Sequence, residues 1–200
     1  MQKLALFLNG EKPKTIPNLS KYISIFCTDG AYNYMQKVGI KPDLIIGDFD
    51  SIEKLPKDIP HIHTPDQNFT DFEKALKIIL EKGYKEVDVF SANGLEQDHF
   101  LGNMTTALKY KKKLKITFFD DKQTYFFTKK NITISNEKGK TISLFPFPKA
   151  KKVVSKGLEY PLNEMNLSIK NNKIGTRNKA ISDEVKIKYS RGELLIFIAL

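Results

Sequence analysis

The chain has 200 residues, 40% of them apolar and 28% charged, with a formal net charge of +10 at pH 7. That length holds one large domain or two small ones, each able to bury a core, in an ordinary globular composition. No run of about eighteen apolar residues occurs to cross a membrane as a helix, and the single cysteine, Cys27, excludes an intrachain disulfide and a thiolate metal cluster.

The first apolar run, KLALFLN (3–9), is too short for the core of a secretion signal and lacks a small-residue cleavage site, so it reads as a first strand. A cytoplasmic location is the default expectation, and the sequons at Asn68, Asn103, Asn131 and Asn166 then carry no meaning. YISIFCT (22–28) is a second strand, with Cys27 as a small buried hydrophobe. DLIIGD, after Pro42, is a short buried strand. His61 and His63 alternate, which puts both rings on one face of a strand edge. TDFEKALKIILEKG (70–83) has helical periodicity: Phe72, Ala75, Leu76, Ile79 and Leu80 share a face, Gly83 closes the helix, and Thr70 with Glu73 forms a capping box. EVDVFSA (86–92) reads as a strand, 98–109 as a helix and LKITFFD (114–120) as a strand. Strands and helices in alternation imply a parallel sheet with helices on its faces, an α/β domain over residues 1–121.

Beyond Asp121 the texture changes to short β-rich runs: TYFFTK, NITISN, KTISLFPF, KVVSK, NLSIK, EVKIKYS and ELLIFIAL, punctuated by Gly139, Gly157, Gly175 and Gly192. That pattern predicts a smaller all-β antiparallel sandwich or barrel over residues 122–200. Gly139-Lys140-Thr141 imitates the end of a P-loop, but Ile134 stands where its first glycine belongs and strands surround it. The lysines are spread along the whole chain, are densest at 109–115 and 149–156, and are not interleaved with aromatic residues. The basic surplus therefore reads as a lysine-rich background, and no nucleic-acid partner is expected.

Carboxylates gather where the first domain's strands end. Asp29 follows Thr28, Asp48 and Asp50 follow Ile46, Asp98 follows the Asn93-Gly94 turn, and Asp66 and Asp71 flank the long helix's start. Each taken singly is an ordinary turn or cap residue. Together, at the edge of a parallel sheet where ligands bind, they repel one another unless a cation lies between them. Mg2+ shared with nucleotide phosphates is the economical occupant. Lys74 falls one helical turn after Asp71, on the same face, near free N–H groups that suit a phosphate. His99 abuts Asp98, but no serine or cysteine arrangement supports a catalytic triad.

TDGAYN (28–33), GIKPDLIIGDFDSI (39–52), HTPDQNFTDFEKAL (63–76) and DHFLGN (98–103) together resemble the successive motifs of thiamine pyrophosphokinases. KGLEYPLN (156–163), GTRN (175–178) and GELLIFI (192–198) are similar to that family's second domain. The resemblance implies a homodimer that transfers the pyrophosphoryl group of ATP to the hydroxyl of thiamine with Mg2+, giving thiamine diphosphate and AMP. It implies ATP contacts for Asp29, Gly30 and Asn33 of the first motif, for Asp48 of the second, and for Gln67, Thr70, Asp71 and Lys74 of the third. Metal binding falls to Asp48, Asp50, Asp71 and Asp98, and catalysis to Asp71, Lys74 and Asp98. Asp98, Asn103, Thr176, Arg177 and Asn178 are implied on the acceptor side, the last three in the second domain, where thiamine binding and dimerisation are expected.

Several positions depart from the family pattern. Glu96 replaces an arginine, Asn68 an aspartate, Arg177 a serine and Lys179 a glutamate, and the chain has no tryptophan to stack on thiamine. These changes touch the acceptor more than Mg2+. A pyrophosphokinase of the same fold acting on a different heterocyclic alcohol and a non-catalytic thiamine-binding relative both stay open.

Overall fold

The computed structural model describes residues 3–200. Two compact units divide the chain, the first ending at Asp121 and the second running from Lys122 to Leu200.

In the first unit β1 (Lys3–Phe7) is buried at Leu4, Ala5, Leu6 and Phe7 alike, as a strand covered on both faces must be. It pairs in parallel with β2 (Ser24–Thr28) on one side and β5 (Glu86–Phe90) on the other. β3 (Leu44–Gly47) and β4 (His61–His63) extend the sheet beyond β2, and β6 (Lys115–Phe119) extends it beyond β5. The strand order is β4-β3-β2-β1-β5-β6. The chain walks outward from β1 to β4, then returns to the other side of β1, so the order reverses between β1 and β5.

Among the described residues three helices cover the sheet. α1 (Asp29–Lys37) buries Ala31, Tyr32 and Met35 in a cluster with Ala5, Phe7, Cys27, Ile45 and Phe90. The sequence reading gives no helix here, because Asp-Gly after a strand reads as a turn and the helix has only nine residues. α2 (Asp71–Glu81) lies on the opposite face, where Phe72 meets Phe118 edge-on at 5.9 Å between ring centres. α3 (Gln97–Tyr110) packs beside it. Only half of the expected capping box forms: Thr70 Oγ1 accepts the Glu73 N–H, but the Glu73 carboxylate turns to α3. There Lys109 Nζ lies 2.6 Å from it and Tyr110 donates its hydroxyl at 3.3 Å. Binding α3 outweighs closing the box.

The second unit is antiparallel throughout and organised on one strand, β9 (Thr141–Lys156), of sixteen residues. β13 (Arg191–Ala199) pairs with β9 and with β7 (Gln123–Phe127), and β12 (Glu184–Lys188) pairs with β9 and with β8 (Asn131–Ser135). β10 (Met165–Ser168) and β11 (Gly175–Lys179) join β9 as well. Its core holds Ile142, Leu144, Val153, Val185, Leu194 and Ile196. Two expectations change here. KTISLFPF and KVVSK are one strand, because Pro146 and Pro148 punctuate the sequence without ending it, and Gly175, read as punctuation between strands, opens the strand β11, with Arg177 at φ +57° where the register shifts. Lysines divide nearly evenly between the units, but acidic residues concentrate in the first, so the positive surplus lies on the second. Exposed Lys156 faces Lys186 there, and Arg191 faces Lys151, like-charge pairs that salt screens. Among the described residues no helix is long and apolar enough to cross a membrane.

Candidate active site

A cavity of about 820 Å3 opens beyond the carboxyl ends of the parallel strands. Asn9 and Gly10 after β1 and Ser91 to Asn93 after β5 line it, which puts it at the point where the strand order reverses, the usual ligand crevice of such sheets. Thr28, Asp48, Asp50, Gln67, Asp71 and Lys74 form one side, and Glu96, Asp98, His99 and Asn103 another.

The turn after β3 aims its carboxylates by strain and anchorage. Phe49 has φ +70°, a conformation that costs a non-glycine residue about 1–3 kcal/mol. Its N–H donates to Asp29 Oδ2 at 2.9 Å, and its ring stacks on His63 at 5.3 Å and meets His61 edge-on at 5.5 Å. With Phe49 pinned toward β4, Asp48 and Asp50 on either side of it reach the cavity. The two histidines share a strand face as their alternation suggests, and their partner is this ring. Gly47 makes the turn possible, since a methyl there would collide with the Asp29 carboxyl. Gly47→Ala is expected to cost about 1–3 kcal/mol of stability by overpacking, read as a lower midpoint in urea; an unmoved midpoint would mean that Asp29 is free to yield.

Asp48 accepts from Gln67 Nε2 at 2.7 Å, and this bond, with help from the Lys74 ammonium 3.7 Å away, holds its carboxyl below the usual range. Lys74 is only 6% exposed and lies 3.1 Å from Asp71 Oδ1. A buried ammonium needs such partners. Asp29 is buried beneath the turn, and burial pushes its carboxyl upward against the opposing pull of the Gly30 and Phe49 N–H groups. Asp29, Asp48 and Asp50 each offer an oxygen within 4.8 Å of the others, a donor set that suits a hard cation. Asp98 belongs to a separate group with Glu96 and His99. β3 and β5 stand three strand spacings apart, about 14 Å. Asp48, Asp50, Asp71 and Asp98 of the expected set all line the one cavity, Asp48 and Asp50 from the turn after β3 and Asp98 from the start of α3.

Other expected residues do different work. Asn33 does not line the cavity: its Nδ2 donates to Ser51 O at 2.7 Å and its Oδ1 accepts the Glu53 N–H at 2.9 Å, clamping the loop after Asp50 to α1. Gly30 packs under the Asn9 amide. Thr70 caps α2 and lines the cavity, and Asn103 does so while donating to Ala92 O at 2.9 Å. Asn178 is buried and holds both sides of Tyr160's backbone, accepting its N–H at 3.0 Å and donating to its carbonyl at 2.6 Å. Thr176 and Arg177 are exposed on β11. Asn9, Thr28 and Ser91 line the cavity without having been singled out, because only the strand order shows that the ends of β1, β2 and β5 meet.

Comparison with known proteins agrees over both units. The family model described as thiamin pyrophosphokinase, catalytic domain, matches residues 18–118, and that for its vitamin B1 binding domain matches 128–194. The thiamine pyrophosphokinase of Bacillus subtilis is 29% identical over 170 residues, covering 79% of this chain and 78% of its own. Thiamin pyrophosphokinase 1 of Caenorhabditis elegans is 26% identical over 220 residues, covering 94% and 85%. A crystal structure of the Bacillus subtilis enzyme superposes with a TM-score of 0.84 at 25% identity over 99% of both chains. That of Candida albicans thiamin pyrophosphokinase shares the fold, with a TM-score of 0.84 at 18% identity over 100% of this chain and 89% of its own. With one family model matched on each unit, in the order in which the chain carries them, this protein belongs to the thiamin pyrophosphokinase family.

Proposed function

We propose that the chain transfers the pyrophosphoryl group of ATP to the hydroxyl of thiamine, yielding thiamine diphosphate and AMP. The observation that carries this reading is the convergence of Asp48, Asp50, Asp71, Lys74 and Asp98 on one cavity at the strand-order reversal, in a chain of this family. In the reaction the thiamine oxygen forms a bond to the β-phosphorus, the bond to the α,β-bridging oxygen breaks, and that oxygen leaves with AMP. Such a displacement asks for alignment and charge neutralisation more than covalent help. Lys74 and the first turn of α2 hold phosphate oxygens in this reading, and Gln67 keeps Asp48 ionised and oriented. Asp98, at the start of α3 with its carboxylate exposed, takes the hydroxyl proton.

Asp48 and Asp50 fit Mg2+, with Asp29 beneath them, because their oxygens lie close together and Asp48 stays ionised. Bound there, Mg2+ supplies neutralisation of charge on the transferring phosphates. Asp71, already joined to Lys74, orders that ammonium.

On the acceptor side we assign the ring that stacks on thiamine to Tyr160. Its side chain is 68% exposed while its backbone is held on both sides by buried Asn178, an aromatic surface kept ready at little entropic cost. Tyr160→Ala is expected to raise the KM for thiamine about tenfold, the scale of a lost aromatic–cation contact, and to leave the KM for ATP in place; equal KM values for thiamine would refute the assignment. The reading further includes a cytoplasmic homodimer whose second unit helps form the acceptor pocket, and light scattering of a fully active monomer would refute that part. The test of the whole is direct: incubate the protein with thiamine and Mg·ATP and assay thiamine diphosphate and AMP. AMP without thiamine diphosphate would overturn the acceptor, and neither product would overturn the reaction.

A further inference from the structure

Thr28 ends β2 and stands at the N-cap of α1 with φ −74° and ψ 159°. A threonine so placed ordinarily accepts an N–H from the helix's first turn. Here it does not: the helix gains no side-chain cap, and the Gly30 N–H goes to Asp29 Oδ1 at 2.8 Å. Thr28 is 3% exposed, its hydroxyl has no hydrogen-bond partner among the described residues, and it lines the cavity. A buried hydroxyl without a partner is destabilising, and native structures keep few of them.

Strand alternation fixes which way this hydroxyl faces. Cys27 packs in the cluster on the α1 side. Thr28 therefore points to the other face, and its strand neighbour there is Ile46. On that face the cavity is lined by Thr70, Asp71, Phe72 and Lys74 of the α2 start. The first N–H groups of a helix have no partner within it, and they carry its positive end.

We propose that the Thr28 hydroxyl is a phosphate-binding group: it donates to an oxygen of the nucleotide's phosphate chain, opposite the N-terminus of α2 and the Lys74 ammonium. The proposal rests on the nucleotide reading of this cavity and adds a binding residue to it. It explains why the residue is threonine at a cap that goes unused, and why a hydroxyl without a partner is kept in the wall of the cavity.

The test is calorimetric titration of the full chain with Mg2+ and a non-hydrolysable ATP analogue, using wild type, Thr28→Val and Thr28→Ser. Valine keeps the shape and removes the hydroxyl, and serine keeps the hydroxyl. Thr28→Val is expected to bind the analogue at least about tenfold more weakly, the scale of one lost hydrogen bond to a charged group, with an unliganded thermal midpoint equal to or above wild type. Thr28→Ser is expected to stay within about threefold of wild type, since the donor is retained. Valine binding as tightly as wild type overturns the proposal, and so does serine losing as much as valine, since the methyl would then be the group that matters. Valine with a lowered unliganded midpoint also overturns it, because the hydroxyl would then serve the fold. Wild type failing to bind the analogue overturns the nucleotide reading itself, which separates the two failures.

Discussion

Asp71→Asn is expected to lower kcat for thiamine diphosphate formation by about 10²–10³ while barely moving the thermal midpoint, the loss typical of one preorganised electrostatic group. The side chain is 37% exposed, follows the Thr70 cap, and pairs with the Lys74 ammonium at 3.1 Å. Asparagine is nearly isosteric and keeps one oxygen for that ammonium. What it removes from the fold is a negative charge in the first turn of α2, worth about 0.3–1 kcal/mol. What it removes from the site is half of the arrangement that fixes where a buried cation points. A residue serving only the helix would lose activity and stability together, and modestly. Measuring kcat beside the midpoint at saturating Mg2+ separates these cases. Retention of more than about a tenth of wild-type activity, well short of the expected loss, would return Asp71 to a structural role.

Much of this arrangement was legible before any coordinates. The strands of the first unit announce themselves as unbroken apolar runs because both their faces are covered, and α2 because its apolar face repeats at helical spacing over eleven residues. The acidic residues at the strand ends could be collected on one edge from the rule that parallel strands share their direction. The sequence carries no sign, however, of the distances within that edge. Asp48 and Asp98 are alike in pattern, yet three strand spacings separate their strands, and only the order β3-β2-β1-β5 reveals it. Asn33 is a second instance. It belongs to a motif rich in ligand-type residues, but its amide serves the loop at Ser51 and Glu53. A side chain's partner depends on which loop the fold brings to it, and residue type alone does not encode that. Thr28 is a further instance, an ordinary strand residue in the sequence whose hydroxyl the fold leaves without a partner in the cavity wall.

Lys74→Met tests whether the carboxylates of this edge need a cation, and it is expected to make stability depend more strongly on Mg2+, which Asp71→Asn does not. Methionine matches the lysine stem and leaves Asp48 and Asp71 without the ammonium that lies 3.7 Å and 3.1 Å from them. Breaking a wholly buried pair costs about 3–5 kcal/mol. Here Asp71 is 37% exposed and water shares its charge, so a loss of about 1–2 kcal/mol is expected after screening. The sign of the pH dependence follows from Asp48, whose carboxyl is held low by the Gln67 bond first and by Lys74 as a further cause. A carboxyl lowered in the folded state contributes stability above its unfolded value and loses it as the pH falls through the folded one. Without Lys74 that contribution shrinks, and the acid limb of the stability curve moves to higher pH. Mg2+ should then stabilise the variant more than the wild type, because an ion binding only the folded state adds stability by mass action and meets no competing ammonium. Activity should still fall by about 10² or more, since an ion beside Asp48 does not reproduce a fixed donor at the start of α2. Urea unfolding with and without Mg2+, followed by single-turnover rates, reads all three effects. A variant with near-normal turnover would show that the phosphates do not lie against Lys74, and that the α2 end of the cavity has been misread.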